Sequence, residues 1–300
     1  MFIWGHLWFH ASLLRMMAND TLNLAHEENK MNKPPVVMTI AGFDPSAGAG
    51  VLADVKTISA FGGYGVAAIT SLTVQNTQGV FGAQHQRREF VREQIDRLVA
   101  DFHIAAIKTG MLPTPGIIEE VAEFLSTTTI ATIVVDPVIR STSGFDLIDD
   151  VAVAALVQYL FPLAAVVTPN AAEAERLTGI RIVDTESMKQ AAAAILAFGP
   201  RAVLIKGGDV KSDFASDVLL DASGAMAFNT PRVASTSTHG TGCTLSAALA
   251  CLLARGMTLG ESVPLAKRYI NAAIAAAPGL GRGHGPLNHF PPGGDLERAR

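Results

Sequence analysis

Short apolar runs alternate with longer stretches of helical spacing along most of this 300-residue chain. Residues 36–41, 66–70, 104–107, 132–136, 164–167 and 202–205 have strand length, and most end at a polar residue, Gly or Pro. Between them, 51–61, 89–102, 115–125, 149–160, 171–177 and 187–198 repeat apolar positions every three to four residues, with charge on one side. This alternation predicts an α/β fold in which a parallel sheet carries helices on both faces. After residue 217 the pattern changes. Val218-Leu219-Leu220, a turn at Asp221-Ala222-Ser223-Gly224, and Met226-Ala227-Phe228 predict a β-hairpin. Two further helices, 241–254 and 259–277, complete the pattern, and the Gly- and Pro-rich tail from Pro278 is expected to lie across the surface.

Composition narrows the class. With 49% hydrophobic and 17% charged residues, the chain has material for one large core. A net charge of −4, with Lys and Arg scattered, argues against nucleic acid as the main partner. Cys243 and Cys251 are the two cysteines, and on one helix an eight-residue offset separates them by roughly 12 Å, too far for a disulfide. That usage points to a reducing, cytoplasmic compartment. The apolar, aromatic stretch 1–17 is interrupted by Gly5, His6 and His10 and carries Arg15, so it is too short to span a bilayer and lacks a secretory pattern. No membrane partner is expected. Residues 1–33 read as an N-terminal extension or an over-long gene start, with Met31 as an alternative start, in preference to a membrane-surface helix. Residues 34–300 then form a single domain.

In an open α/β sheet, ligands sit beyond the carboxyl ends of the strands, and the polar motifs of this chain all fall there. The run Ser237-Thr238-His239-Gly240-Thr241-Gly242-Cys243-Thr244 opens an apolar helix. A helix start offers unpaired N–H groups and a positive dipole end, which suit a phosphate at Thr238, Gly240, Thr241 and Gly242. The same field is expected to lower the Cys243 pKa and make it a base or nucleophile. A plain loop-to-helix turn would use the same residue types.

The other segments fit phosphate transfer to a small flat ligand. Gly42-Phe43-Asp44-Pro45-Ser46-Ala47-Gly48-Ala49-Gly50 lets backbone approach such a ligand, and Asp54 is expected to face it from the first turn of the next helix. The spacing is neither a P-loop nor a dinucleotide fingerprint, and Asp54 could instead serve the helix dipole. Gln75 offers a donor and an acceptor on one plane, as a heterocycle with adjacent ring nitrogen and amino group requires, or it ties down a loop. Gly110 and Met111 follow a strand and could pack against a ring. Asp136 and Glu173 are carboxylates at neighbouring strand ends and suit Mg²⁺ carrying a nucleotide, while Asn170 with Glu173 also fits a helix cap. Lys206, before Gly207-Gly208-Asp209, offers a cation near transferring phosphates. His239 has no triad order or metal spacing behind it, and His6, His10, His26, His85 and His103 are scattered.

Over about residues 36–290 these motifs closely resemble the hydroxymethylpyrimidine and phosphomethylpyrimidine kinases of thiamine biosynthesis, in the ribokinase-like superfamily. The resemblance rests on residues 39–50, Gln75-Asn76-Thr77, Lys108-Thr109-Gly110-Met111-Leu112, Val135-Asp136-Pro137-Val138, Thr168-Pro169-Asn170, Lys206-Gly207-Gly208-Asp209, 238–246 and the tail 283–290. It implies a three-layer α/β/α sandwich. It also implies ATP-dependent phosphorylation of 4-amino-5-hydroxymethyl-2-methylpyrimidine to the monophosphate and then the diphosphate, in a homodimer. Gln75 would read the aminopyrimidine within walls formed by Gly42, Ala49, Met111 and Val138, with Asp44 also among the substrate-binding residues. Asp136 and Glu173 would organise Mg²⁺, and Asn170, Lys206 and the 238–242 turn would meet the nucleotide. Cys243 matches the position of the superfamily's usual catalytic aspartate. The chain departs from the family pattern at Ile139-Arg140, Phe145 and Ser235-Thr236-Ser237, and Arg140 becomes a further candidate phosphate ligand. Either Cys243 or Asp54 is expected to take the substrate's hydroxyl proton, with Cys243 preferred. Pyridoxal kinase, on another flat heterocycle, and a non-catalytic pyrimidine-binding module are the rival readings.

Overall fold

The computed structural model describes residues 33–141, 144–210 and 212–292. Chain contacts divide the protein into two units, Met1–Pro34 and Pro35–Arg300. Apart from Lys33, the expected N-terminal extension lies outside the described residues.

Within the second unit the strands are β1 (Val36–Phe43), β2 (Tyr64–Asn76), β3 (Gly79–His85), β4 (Ile104–Thr109), β5 (Ile133–Val135), β6 (Val166–Val167), β7 (Ala202–Ile205), β8 (Phe214–Asp221) and β9 (Gly224–Pro231). They form one sheet in the order β3-β2-β1-β4-β5-β6-β7-β8-β9. Pairing is parallel from β2 through β7 and antiparallel at β2–β3, β7–β8 and β8–β9. The central strands are buried on both faces, which is why they read as continuous apolar runs.

Successive strand residues point to opposite faces, and each face has its own helices. Val37, Ala106, Val134, Val166 and Leu204 pack with α1 (Gly50–Ala60), α7 (Thr241–Ala254) and α8 (Leu259–Ala275). Met38, Ile107, Val135, Val167 and Ile205 pack with α2 (Arg88–Asp101), α3 (Pro115–Thr127), α4 (Asp150–Ala155), α5 (Ala171–Thr178) and α6 (Thr185–Leu196). The result is the expected three-layer sandwich.

Met38 of β1 pairs with Val66 on one side and Ile107 on the other, so the chain reverses its direction of travel across the sheet at β1. A reversal of this kind leaves a crevice beyond the carboxyl ends of the two strands that flank it. Caps help define where the helices around that crevice begin. Thr114 accepts from Ile117 N ahead of Pro115, and Asn170 with Glu173 and Thr258 with Glu261 form capping boxes.

Several elements differ from the sequence pattern. β2 runs well past residue 70 and pairs with β3, a strand that the apolar pattern does not mark. Leu72, Val74 and Phe81 of this hairpin are exposed, so core burial does not impose a clean alternation. The second hairpin is longer than its apolar centre, because its outer positions face solvent. The 149–160 helix is α4 followed by a π-helical turn, Leu156–Leu160, and a 3₁₀ turn, Phe161–Leu163. The tail is not simply laid on the surface, since Leu287 and His289 are buried.

Candidate active site

The loops after β1, β4, β5, β6 and β7 meet the start of α7 around one cleft of about 980 Å³. Gly42, Asp44, Ala49, Gln75, Met111, Asp136, Val138, Asn170, Glu173, Lys206, Thr238, Gly240, Thr241, Gly242 and Cys243 all line it. Arg140 lines it as well, although its guanidinium pairs with Asp146 at 2.8 Å. Asp54 is the sequence-derived candidate that does not.

Glycine positions the turn before α7. Gly240 caps the helix with φ of +84°, and a Cβ there would run into the carbonyl oxygen of Gly48. The α7 turn therefore sits directly on the Gly-rich loop after β1. Val138, on the opposite wall, holds φ of +42°, an uncommon conformation for a β-branched residue. Gly42 and Met111 are close neighbours, because a Cβ on Gly42 would collide with the Met111 side chain.

Lys206 Nζ lies 2.8 Å from Asp136 Oδ1, and both sit beside Gly242, where an added Cβ would be 3.0 Å from the ammonium nitrogen. Ser246 Oγ donates to Asp136 Oδ2 at 3.1 Å and Thr168 Oγ1 donates to Oδ1 at 3.3 Å. Burial opposes the Asp136 charge, but Lys206 and Lys108 outweigh it and hold the carboxyl below its usual range. Glu173 accepts from Ile139 N at 3.0 Å and from Asn170 N at 2.9 Å. Burial is the main influence there and pushes its pKa up. Asn170 and Glu173 thus form the anticipated helix cap on the cleft wall.

On the other side, His239 Nε2 lies 2.8 Å from Asp44 Oδ2 and 3.2 Å from Gln75 Nε2. That imidazole nitrogen carries at most one proton, so its bond to Asp44 restricts which end of the Gln75 amide can face it. Asp44 also accepts from Ser46 N at 2.8 Å and Ala49 N at 2.9 Å. Burial works against its charge, yet His239 and Ser46 hold the carboxyl below the usual range. Asp44 thus lines the cleft as expected and at the same time organises the loop after β1.

Two expectations are corrected here. Asp54 does not face the ligand. Its side chain is fully buried beneath the cleft, where Oδ2 meets Lys108 Nζ at 2.8 Å and accepts from Thr39 Oγ1 at 2.6 Å. Burial disfavours the Lys108 charge, but Asp54, Cys243 and Asp136 together outweigh it and keep the ammonium above its usual range. The Cys243 thiol is not lowered by the helix start. Burial pushes it up to about 11, against the pull of Lys108.

Sequence reasoning gave no role to His239 or Lys108, and both line the cleft. A lysine at the end of an apolar strand was the available signal for Lys108. For His239 there was little, because its partner Asp44 lies 195 residues away.

The family model described as phosphomethylpyrimidine kinase matches residues 44–288. The chain belongs to the phosphomethylpyrimidine kinase family. It is 46% identical over 254 residues to the thiamine biosynthesis bifunctional protein ThiED of Geobacter sulfurreducens, covering 85% of this chain and about half (52%) of that protein. It is 45% identical over 256 residues to the hydroxymethylpyrimidine/phosphomethylpyrimidine kinase of Streptomyces coelicolor, covering 85% of this chain and 94% of that one. Among solved structures, the phosphomethylpyrimidine kinase of Clostridium difficile has a TM-score of 0.71 at 40% identity, covering 80% of this chain and 99% of that one. The pyridoxal kinase of Staphylococcus aureus in complex with ADP has a TM-score of 0.80 at 33% identity, covering 86% and 94%. The resemblance seen in the motifs and the ribokinase-like fold are both borne out. Among the described residues, no helix is long and apolar enough to cross a membrane.

Proposed function

We propose that this protein transfers the γ-phosphoryl group of ATP to the hydroxymethyl oxygen of 4-amino-5-hydroxymethyl-2-methylpyrimidine, and then phosphorylates the monophosphate to the diphosphate, in thiamine biosynthesis. One observation carries the reading. The glutamine pocket and the turn that opens α7 are in direct contact through Gln75 and His239, so a ring held at Gln75 presents its alcohol to the helix start. The names of the relatives and the ADP-bound neighbour support the same reaction.

Gln75 pairs with the amino group and adjacent ring nitrogen, and Gly42, Ala49, Met111 and Val138 enclose the ring. Phosphoryl transfer passes through a loose transition state, so positioning and charge neutralisation dominate. The first-turn amides of α7 and Lys206 supply that neutralisation, with Asn170, Thr238 and Thr241 along the nucleotide.

The donor set fits Mg²⁺ of the kind that keeps most of its waters. Asp136 and Glu173 are hard carboxylates whose charges both act on Lys206, and among the described residues no group of three His, Cys, Asp or Glu could cage a metal. Asp136 and Glu173 would hold the ion through water, and the ion supplies charge neutralisation on the phosphates.

Cys243 stands at the helix start as the acceptor of the hydroxyl proton. A thiol pKa near 11 makes the thiolate scarce at neutral pH, on the order of one molecule in 10⁴, but a strong base when formed. Asp54, sealed under the cleft floor, is out of reach of that proton.

We also place the protein in the cytoplasm as a homodimer. Support comes from its two free cysteines and from the exposed Leu72, Val74 and Phe81 on the sheet-edge hairpin. Light scattering of the pure protein tests the dimer.

The deciding assay incubates pure protein with ATP, Mg²⁺ and the hydroxymethylpyrimidine and weighs the products. Masses one and two phosphates heavier are expected. No phosphorylated product, or a larger kcat/KM for pyridoxal, would overturn the substrate assignment.

A further inference from the structure

The C-terminal segment runs from the Gln75 hairpin to the turn that carries His239. Thr77, two residues past Gln75, accepts through Oγ1 from Arg282 N at 3.1 Å and Gly283 N at 3.3 Å. A Cβ on Gly281 would run into the Thr77 side chain, and one on Gly283 into its carbonyl. Two residues on, Gly285 O accepts from His239 N at 3.2 Å, and Pro286 bridges to His239. A Cβ on Gly285 would sit 2.7 Å from Ser237 Oγ. The alternate glycines at 281, 283 and 285 therefore permit close backbone approach to the Gln75 hairpin and to the His239 turn in one pass.

The far end of the segment is anchored to the two C-terminal helices. Asn288 N donates to Ala273 O at 3.1 Å, Tyr269 Oη–H donates to His289 O at 2.5 Å, and His289 Nε2 lies 3.4 Å from Thr244 Oγ1. The hairpin it grips needs such support, because β3 is an edge strand paired with β2 alone.

We propose that residues 281–289 are a strap that positions the Gln75 hairpin against the His239 turn, with Thr77 as its anchor, and so sets the pyrimidine pocket. Thr77 acts through Gln75 and is a positioning residue. The proposal rests on the pyrimidine reading above.

Thr77→Val keeps the shape and removes the acceptor, Thr77→Ser keeps the acceptor, and Gly283→Val forces a side chain into the Thr77 carbonyl. Thr77→Val is expected to raise KM for the hydroxymethylpyrimidine about 3- to 10-fold, the loss of one or two modest hydrogen bonds. Gly283→Val should raise it further, Thr77→Ser should match wild type, and KM for ATP should stay within about twofold. Backbone amide exchange in Thr77→Val should quicken together at 75–80 and 237–240, and not along β4–β7.

If Thr77→Val folds with unchanged pyrimidine KM and unchanged exchange at 237–240, the strap is wrong. Equal rises in both KM values would mean a merely structural segment and also overturn it. A wild-type protein that phosphorylates no pyrimidine overturns the function instead, and the exchange measurement then decides the strap by itself.

Discussion

Asp54 Oδ2 and Lys108 Nζ lie 2.8 Å apart with neither side chain exposed to solvent. Because both side chains are buried, losing one member strands the other where burial disfavours its charge. Asp54→Asn is expected to destabilise the fold by about 3–5 kcal/mol, read from urea unfolding. Asp54→Leu combined with Lys108→Met should recover most of that loss. A stable Asp54→Asn protein without activity would instead favour Asp54 as the base.

Cys243→Ala is expected to lower turnover by about 10² to 10⁴, with KM for the pyrimidine little changed, because a base acts in the chemical step. The thiol pKa near 11 fixes the sign of the pH effect. The thiolate fraction grows about tenfold per unit from about pH 7 to 10, so kcat/KM should climb over that range and the climb should vanish in Cys243→Ala. A wild-type profile that is flat across that range would remove the thiol from the role.

Lys206 faces Asp136 across the foot of α7, and removing it costs charge neutralisation where phosphate moves. Lys206→Met is expected to lower kcat/KM for ATP by about 10² to 10³, as loss of a preorganised electrostatic group does. Steady-state kinetics at saturating pyrimidine checks it, and a change below threefold would exclude the assigned role.

His289 gives the tail a pH dependence. Burial first, then Lys56, pushes its pKa down from 6.5 to about 4. The unfolded chain thus binds the proton more readily, and stability falls as pH drops from about 6.5 towards 4, by up to about 3 kcal/mol. Thermal unfolding at pH 7.5 and 4.5 should show a smaller acid loss in His289→Asn than in wild type. Equal losses in the two proteins would assign the effect to other groups.

Much of the fold was legible because the central strands are buried on both faces and the helices on one. Burial of that kind writes itself into the sequence as continuous apolar runs and as three-to-four-residue periods. The β2–β3 hairpin escaped because Leu72, Val74 and Phe81 face solvent, where the polar and apolar pattern has nothing to report. The π-helical turn after α4 escaped for a different reason, since its residues keep ordinary helical spacing.

The cleft residues could be picked from the sequence because strand ends, glycine-rich turns and a helix start are local features. Which of them hold one another was decided by tertiary structure. Asp54 and Lys108 stand 54 positions apart, and Asp44 and His239 stand 195 apart. Local spacing carries no record of such pairs. The helix start at Cys243 was likewise local, whereas the burial and the charges of Lys108, Asp54 and Asp136 that act on its thiol come from other segments.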